Sequence, residues 1–273
     1  MSDTKRPIIT LTTDFGTRDP YVAAMKGILL RECPDGNIVD ICHEVPPHQI
    51  LHAAYVLANA APFFPEGTIH MAVVDPGVGT DRSILVGQFG GQLFIFPDNG
   101  VITLVQNVLP LEGLVSVRDY GFLGDRDVSP TFHGRDVFAP LAAAISNGLR
   151  ITELGPTPPT YKLLDLSEPV WTGSVLRGKV VYVDRFGNLV TSITETQIRQ
   201  RFLSGGELQI TCNGLKVSGL KTTYASAALG EPLALIDSMG YLELAVNIGR
   251  ACDEFDARPG MDVELAQLHF LEG

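Results

Sequence analysis

Val73-Val74-Asp75-Pro76-Gly77-Val78-Gly79-Thr80-Asp81-Arg82-Ser83 is the stretch that decides how this chain is read. Residues 69–74 read as a buried strand that delivers an acid to its carboxyl end just before a Pro-Gly turn. In an α/β domain the crevice beyond the carboxyl ends of the strands is concave and free of helix, so ligands are met there. Asp75 and Arg82 are therefore candidates for chemistry. The competing reading is a structural ion pair across the loop, since paired charges near turns are common.

Upstream, residues 8–12 form a second short branched run ending in Thr12-Thr13-Asp14-Phe15-Gly16. Asp19 and Pro20 then offer an N-cap and first-turn proline for an amphipathic helix over 21–31. Residues 38–41 read as a strand and 49–60 as a helix closed by Pro62. Downstream, 83–88 and 92–96 pair as a hairpin through Gly90-Gly91, and Pro97-Asp98-Asn99-Gly100 turns into a helix over 101–109. A strand at 114–117 follows, then Phe132-His133-Gly134-Arg135-Asp136 ahead of a helix over 137–147 stopped by Gly148. Strands alternating with helices predict a layered α/β domain with a mostly parallel sheet over residues 1–154. Pro-rich text over 155–171 reads as a linker. Over 172–273, short strands at 174–183, 189–193, 208–212, 232–236, 241–246 and 262–266 surround a single helical pattern at 194–202. A smaller all-β domain, sandwich or barrel, is expected.

The composition narrows the function. A chain of 273 residues, 45% hydrophobic and 19% charged, can bury a large core divided between two domains. Its net charge of −11 disfavours a nucleic-acid surface, which needs clustered Lys and Arg, and suits a neutral or cationic small ligand. The first residues are polar and charged rather than a secretory leader, and the longest nearly apolar run, 50–64, is too short to span a membrane. Four cysteines without a C-x-x-C pair read as free thiols in a reducing cytoplasm.

Other motifs weigh less. Gly77-Val78-Gly79 lacks both phosphate-loop signatures, and no G-x-S-x-G elbow is present. His48 and His52 stand four apart on the expected helix and could share a metal, but neither a zincin Glu nor a third ligand accompanies them, so no metal is expected. His43 and His70 read as hydrogen-bonded structural histidines, and His269 lies near the terminus. His133 differs, because it falls in a turn rich in functional groups ahead of a helix whose N-terminus faces the crevice of Asp75. Functional and structural roles both fit it, while Arg135 and Asp136 pair with each other or cap the helix.

Six segments taken in order, Thr12-Thr13-Asp14-Phe15-Gly16, Val74-Asp75-Pro76-Gly77-Val78-Gly79, Pro97-Asp98-Asn99-Gly100, Phe132-His133-Gly134-Arg135-Asp136, Phe186-Gly187-Asn188 and Ser238-Met239-Gly240-Tyr241-Leu242-Glu243, cover nearly the whole chain. Together they resemble the S-adenosyl-L-methionine hydroxide adenosyltransferase family, related to fluorinase and chlorinase. The resemblance implies hydrolysis of S-adenosyl-L-methionine to adenosine and L-methionine, by in-line attack of water on ribose C5′ and with no cofactor. It implies Asp75, Arg82 and His133 as the catalytic set and Asp14 as the partner of the ribose hydroxyls. Asp19, Asp184 and Ser238 would hold the methionine ammonium and carboxylate, and Phe186, Asn188 and Tyr224 the adenine.

Three positions depart from fluorinase. Met239 stands where fluorinase has an arginine, leaving the carboxylate to Ser238 and backbone N–H groups. Tyr21 replaces a methionine-binding serine, and Asp75 stands where the halogenases typically carry a tyrosine. The resemblance further implies a homotrimer whose sites form between the first domain of one subunit and the second domain of the next. The alternatives are a halogenase making 5′-halo-5′-deoxyadenosine and a non-catalytic binding protein for S-adenosyl-L-methionine or adenosine. Asp75 argues against the halogenase, because a carboxylate repels an anionic nucleophile strongly at short range.

Overall fold

The computed structural model describes residues 7–166, 168–202 and 207–268; His269 lies outside them. The chain divides into two compact units, Met1–Leu164 and Asp165–Gly273.

The first unit runs β1 (Ile8–Thr13), α1 (Tyr21–Glu32), β2 (Asn37–Cys42), α2 (Ile50–Ala60), β3 (Ile69–Val73), β4 (Ile84–Phe89), β5 (Gln92–Pro97), α3 (Val105–Val108), β6 (Leu111–Ser116) and α4 (Ala139–Ser146). Its six strands lie in the order β2-β1-β3-β5-β4-β6. Pairing is parallel from β2 to β5 and antiparallel through β4 and β6. All five residues of β3 are buried, which is why its sequence is apolar apart from His70 and does not alternate. Ile69, Met71 and Val73 pack on one face with Met25, Leu29 and Leu141 of the flanking helices, while Ala72 packs on the other with Leu57 and Val105. The parallel register sets Thr13 level with Val73, so the chain leaves β1 toward Asp14 and β3 toward Asp75 at the same edge of the sheet.

In the second unit, β7 (Val170–Thr172), β8 (Val175–Val183), β9 (Leu189–Thr194), β10 (Glu207–Cys212), β11 (Leu215–Ser218), β12 (Leu220–Lys221), β13 (Pro232–Ile236), β14 (Tyr241–Val246) and β15 (Asp262–Leu268) form a nearly barrel-shaped sheet. Two short helices, α5 (Glu195–Arg201) and α6 (Ala251–Glu254), accompany it. The Thr194 hydroxyl accepts from the Gln197 N–H while the Gln197 side chain accepts from the Thr194 N–H, so two otherwise orphan donors at the start of α5 are satisfied. Leu176, Val180, Leu244, Phe255 and Leu265 are among the residues of its core. The expected pair, a layered α/β domain with a mostly parallel sheet and a smaller β domain, is present.

Several local expectations are corrected. The helix over 101–109 contracts to α3, because the Thr103 hydroxyl donates to the Gly100 carbonyl (2.6 Å) and the Asn99 side chain accepts the Val101 N–H (3.1 Å), holding the start of that run in turns. Pro20, not Asp19, occupies the N-cap of α1, and no side chain caps it. His48 precedes α2 with φ 67°, so it shares no helix face with His52 and the suggested metal pair has no geometric basis. The helix over 137–147 begins instead as a π-helical turn, Gly134–Phe138, continuous with α4. The segment 155–171 is partly docked: Pro156 accepts the Ser116 N–H (2.9 Å), Asp98 accepts the Lys162 N–H (2.7 Å), and Val170–Thr172 is strand β7. Strands β7, β11 and β12 and helix α6 are too short to show a period in sequence.

His70 sits fully buried on β3. The Gln92 amide nitrogen donates to the carbonyls of Ala61 and Phe64, which leaves its oxygen to accept from His70 Nε2 (2.9 Å). Nδ1 of the neutral ring then accepts from the Thr10 hydroxyl (2.7 Å). Burial pushes this imidazole down to about 4 from 6.5. The unfolded chain therefore binds the proton first as pH falls. The contribution to stability is full above about 6.5 and declines toward pH 4, by about 3 kcal/mol at about 1.36 kcal/mol per pH unit. Urea unfolding across that window is expected to show the decline, and His70→Gln to flatten it.

Candidate active site

A cavity of about 280 Å³ opens beyond the carboxyl ends of β1 and β3. Asp14 and Asp75 reach it from the strand ends, Phe132 and His133 from the turn before α4, Phe15 from the β1–α1 connection and Tyr21 from the first position of α1. Its loops are pinned by backbone hydrogen bonds. Asp14 Oδ2 accepts the His48 N–H (2.9 Å), the His43 carbonyl accepts the Gly16 N–H (2.7 Å), and Asn99 Nδ2 donates to the Val74 carbonyl (2.8 Å) immediately before Asp75.

Behind the cavity, three loops meet on one guanidinium. Arg82 donates through Nε to Asp75 Oδ2 (2.8 Å) and through Nη2 to the same oxygen and to His133 Nδ1 (2.9 Å). The Asp75 and Arg82 side chains are 4% and 7% exposed, so this is a buried ion pair. Arginine has only donors, so Nδ1 must accept and the imidazole proton must sit on Nε2. Burial lowers the His133 pKa, and the Arg82 charge lowers it further against opposing contributions from Asp75 and Asp136. Asp75 and His133 line the cavity, whereas Arg82 is not among its lining residues. The remaining Asp75 oxygen, Oδ1, accepts the Gly77 N–H at 3.2 Å.

Gly79 lets these loops close. At φ 79° it passes so near the Pro130 carbonyl that a β-carbon would lie 2.6 Å from that oxygen, joining the loop of Arg82 to the one that leads into His133. Arg135 and Asp136 pair with each other (2.6 and 2.8 Å), and Asp136 also accepts the Ser129 N–H, so their part here is to brace the turn.

The other expected ligand-binding residues are not among those that line this cavity. Asp19 is exposed on the β1–α1 connection. Within the second unit, Asp184 accepts the backbone N–H (2.8 Å) and the side-chain amide (3.0 Å) of the buried Asn188, closing a turn from which Phe186 projects 74% exposed. The Tyr224 hydroxyl donates to Glu243 (2.8 Å). Ser238 and Met239 occupy a turn shaped by Asp237, whose carboxylate accepts the N–H groups of Met239 (2.8 Å) and Tyr241 (2.9 Å). Sequence reasoning passed over Glu243. It is 4% exposed, and burial together with the charges of Asp184 and Asp237 pushes its carboxyl up to about 7. Its signal was an acid inside the apolar run Tyr241-Leu242-Glu243-Leu244-Ala245-Val246, where a half-polar alternation would not place one on the buried face.

Family models for the SAM hydroxide adenosyltransferase N-terminal and C-terminal domains match residues 9–155 and 178–264. The chain belongs to the SAM hydroxide adenosyltransferase family. Within and near this family it is similar to an (R)-S-adenosyl-L-methionine hydrolase of Thermus thermophilus, 38% identical over 95% of this chain and 99% of the relative. A protein of the same description from Methanocaldococcus jannaschii is 35% identical over 90% of each chain, and a fluorinase of an Actinoplanes species 28% identical over 96% and 98%. Among solved structures, a conserved protein from Thermotoga maritima superposes with a TM-score of 0.87 at 32% identity, covering 95% of this chain and 99% of its own.

Two measurements check this geometry. Nitrogen-detected NMR of the His133 ring is expected to show the Nε2–H tautomer titrating below 6.5, and Arg82→Met to move the midpoint upward because a cation leaves the ring. Gly79→Ala is expected to cost about 1–3 kcal/mol in unfolding free energy, since the alanine meets both the positive φ and the Pro130 carbonyl.

Proposed function

We propose that this chain hydrolyses S-adenosyl-L-methionine to adenosine and L-methionine by in-line displacement at ribose C5′. The observation that carries the reading is the hydrogen-bonded Asp75–Arg82–His133 chain, which presents one acceptor and one donor to a cavity at the strand ends. Relatives named (R)-S-adenosyl-L-methionine hydrolase, matched along nearly their whole length, support it.

The reaction forms a C5′–O bond from water and breaks the C5′–S bond, whose electron pair leaves on sulfur. Methionine departs as a neutral thioether, so no general acid has to protonate it, and the reading calls for no cofactor. One proton must leave the water. Lowering the pKa of water from about 15.7 to near 8 beforehand would take roughly 10 kcal/mol at about 1.36 kcal/mol per unit, more than a carboxylate and an imidazole supply. Removing the proton as the C–O bond forms contributes about 10²- to 10⁴-fold, and in-line placement roughly 7–11 kcal/mol, so positioning dominates.

Each group has a distinct part under this reading. Asp75 accepts the water proton through the oxygen that Arg82 leaves accessible. His133 donates from Nε2 to the water oxygen and aims the opposite lone pair at C5′. Arg82 stands behind both and fixes them. Asp14 takes the ribose hydroxyls, Asp19, Asp184 and Ser238 the methionine end, and Phe186, Asn188 and Tyr224 the adenine, each role being the one the family resemblance implies.

Under the same reading the protein works as a homotrimer in the cytoplasm, the latter in keeping with its four free cysteines. Among the described residues no helix is long and apolar enough to cross a membrane.

Chromatography of S-adenosyl-L-methionine incubated with the purified protein is expected to show adenosine and methionine. 5′-Chloro-5′-deoxyadenosine in the presence of chloride would instead establish halogenase chemistry. Asp75→Ala and His133→Ala are each expected to cut turnover about 10²- to 10⁴-fold with substrate binding retained. Near-normal rates in both would remove this pair from the mechanism.

A further inference from the structure

Three aromatic rings stand at the cavity and lean on one another. The Phe15 and Tyr21 centroids are 5.7 Å apart at 51°, Phe15 and Phe132 5.9 Å at 75°, and Tyr21 and Phe132 5.1 Å at 83°. All three line the cavity that holds Asp14, Asp75 and His133. Core packing accounts for only part of the arrangement: Phe15 and Phe132 are half-buried against the core of the first unit, whereas Tyr21, the first residue of α1, is 46% exposed while the helix buries Val22, Met25 and Leu29 instead.

Steeply inclined rings around an acid-lined hollow are the surroundings in which proteins hold onium cations. The substrate of the proposed reaction is such a cation. Its sulfonium charge is spread over sulfur and three carbons that carry no N–H or O–H, so a carboxylate can attract it without fixing its orientation. An aromatic face can attract and orient together.

We propose that Phe15, Tyr21 and Phe132 form the seat of the sulfonium, with Tyr21 the ring that selects it. Phe132 already carries the Arg135 guanidinium 5.1 Å from its centroid, an ion held in turn by Asp136. That engagement leaves Tyr21 and Phe15 as the rings open to a second cation. The proposal rests on the hydrolase reading and names the element of that site which recognises the charge.

The kinetic signature follows from when the charge is lost. Positive charge leaves sulfur as the C5′–S bond breaks, so the seat favours bound substrate over the transition state. Removing a ring therefore weakens binding without slowing the chemical step. A pyramidal sulfonium also directs its methyl to one of two sides, so a walled seat distinguishes the two sulfur epimers.

The test compares Tyr21→Leu and Tyr21→Phe with the wild-type protein, using calorimetric titration with S-adenosyl-L-methionine and with the uncharged thioether S-adenosylhomocysteine, together with steady-state kinetics on both sulfur epimers. Tyr21→Leu is expected to lose about tenfold in affinity for the sulfonium and less than about twofold for the thioether. KM should rise with kcat unchanged or higher, and the epimer preference should narrow. Tyr21→Phe, which keeps an aromatic face, should regain the sulfonium affinity that Tyr21→Leu loses. Equal losses for both ligands, or a fall in kcat with KM unchanged, would overturn the seat while leaving the hydrolase reading standing. A wild-type protein that neither binds nor cleaves S-adenosyl-L-methionine would overturn both.

Discussion

A guanidinium withdrawn from water sets the terms for the first unit. Arg82 cannot shed its charge, so burial obliges the surroundings to supply a counter-ion and enough acceptors. Asp75 supplies the former and His133 the latter. Accepting from Arg82 also removes any choice of tautomer at the imidazole: its proton is displaced to the nitrogen on the far side. One buried cation thus determines the position of an acid, the protonation pattern of a base and the closure of the loops that carry them. The site is a consequence of satisfying an ion that the fold keeps dry.

The fold makes that ion pair possible by bringing two strands out of the sheet at the same level. Because β1 and β3 are parallel neighbours in register, the loops after them share one edge, and the acids that begin those loops open on a common hollow. The antiparallel β4 and β5 extend the sheet beyond this edge and return Asn99 to fasten the Val74 carbonyl. The second unit handles its own buried acid differently. Glu243 has a phenol hydroxyl as its partner, and its carboxyl is raised toward neutrality by burial. A charged pair serves where polarisation is wanted; a nearly neutral hydrogen bond serves where a strand passes through the interior.

Much of this architecture is legible in the text of the chain. A strand buried on both faces shows as a nearly unbroken apolar run, and Ile69 to Val74, interrupted only by His70, provides one, so its acid-bearing end is found without coordinates. Asp75, Arg82 and His133 each stand out singly in a loop beside a regular element, but it is the resemblance of six segments to a known family that joins them into one set. What could not be read is whatever depends on approach across the chain. No periodicity reports that Arg82 lies behind Asp75 instead of beside it in the hollow, or that His48 turns out of its helix with φ 67°. Thr103 shortens a helix through a bond to the carbonyl of Gly100, an outcome decided by competition between side chain and backbone and not by propensity. Glu243 was overlooked because a single acid in an apolar run is visible only once the inward face of the strand is known.

The π-helical turn Gly134–Phe138 leaves a longer shadow than its five residues suggest. Such a turn is an α-helix holding one residue more than its ladder requires. Deleting that surplus residue would let the ladder close and rotate everything before it by about 100°, the angular step of one helical residue, swinging His133 off the guanidinium. Length changes at helix ends are ordinarily absorbed by the adjoining loop. Here the count of residues between imidazole and helix works as a mechanical phase, which any lineage carrying this site has to preserve through insertion and deletion alike.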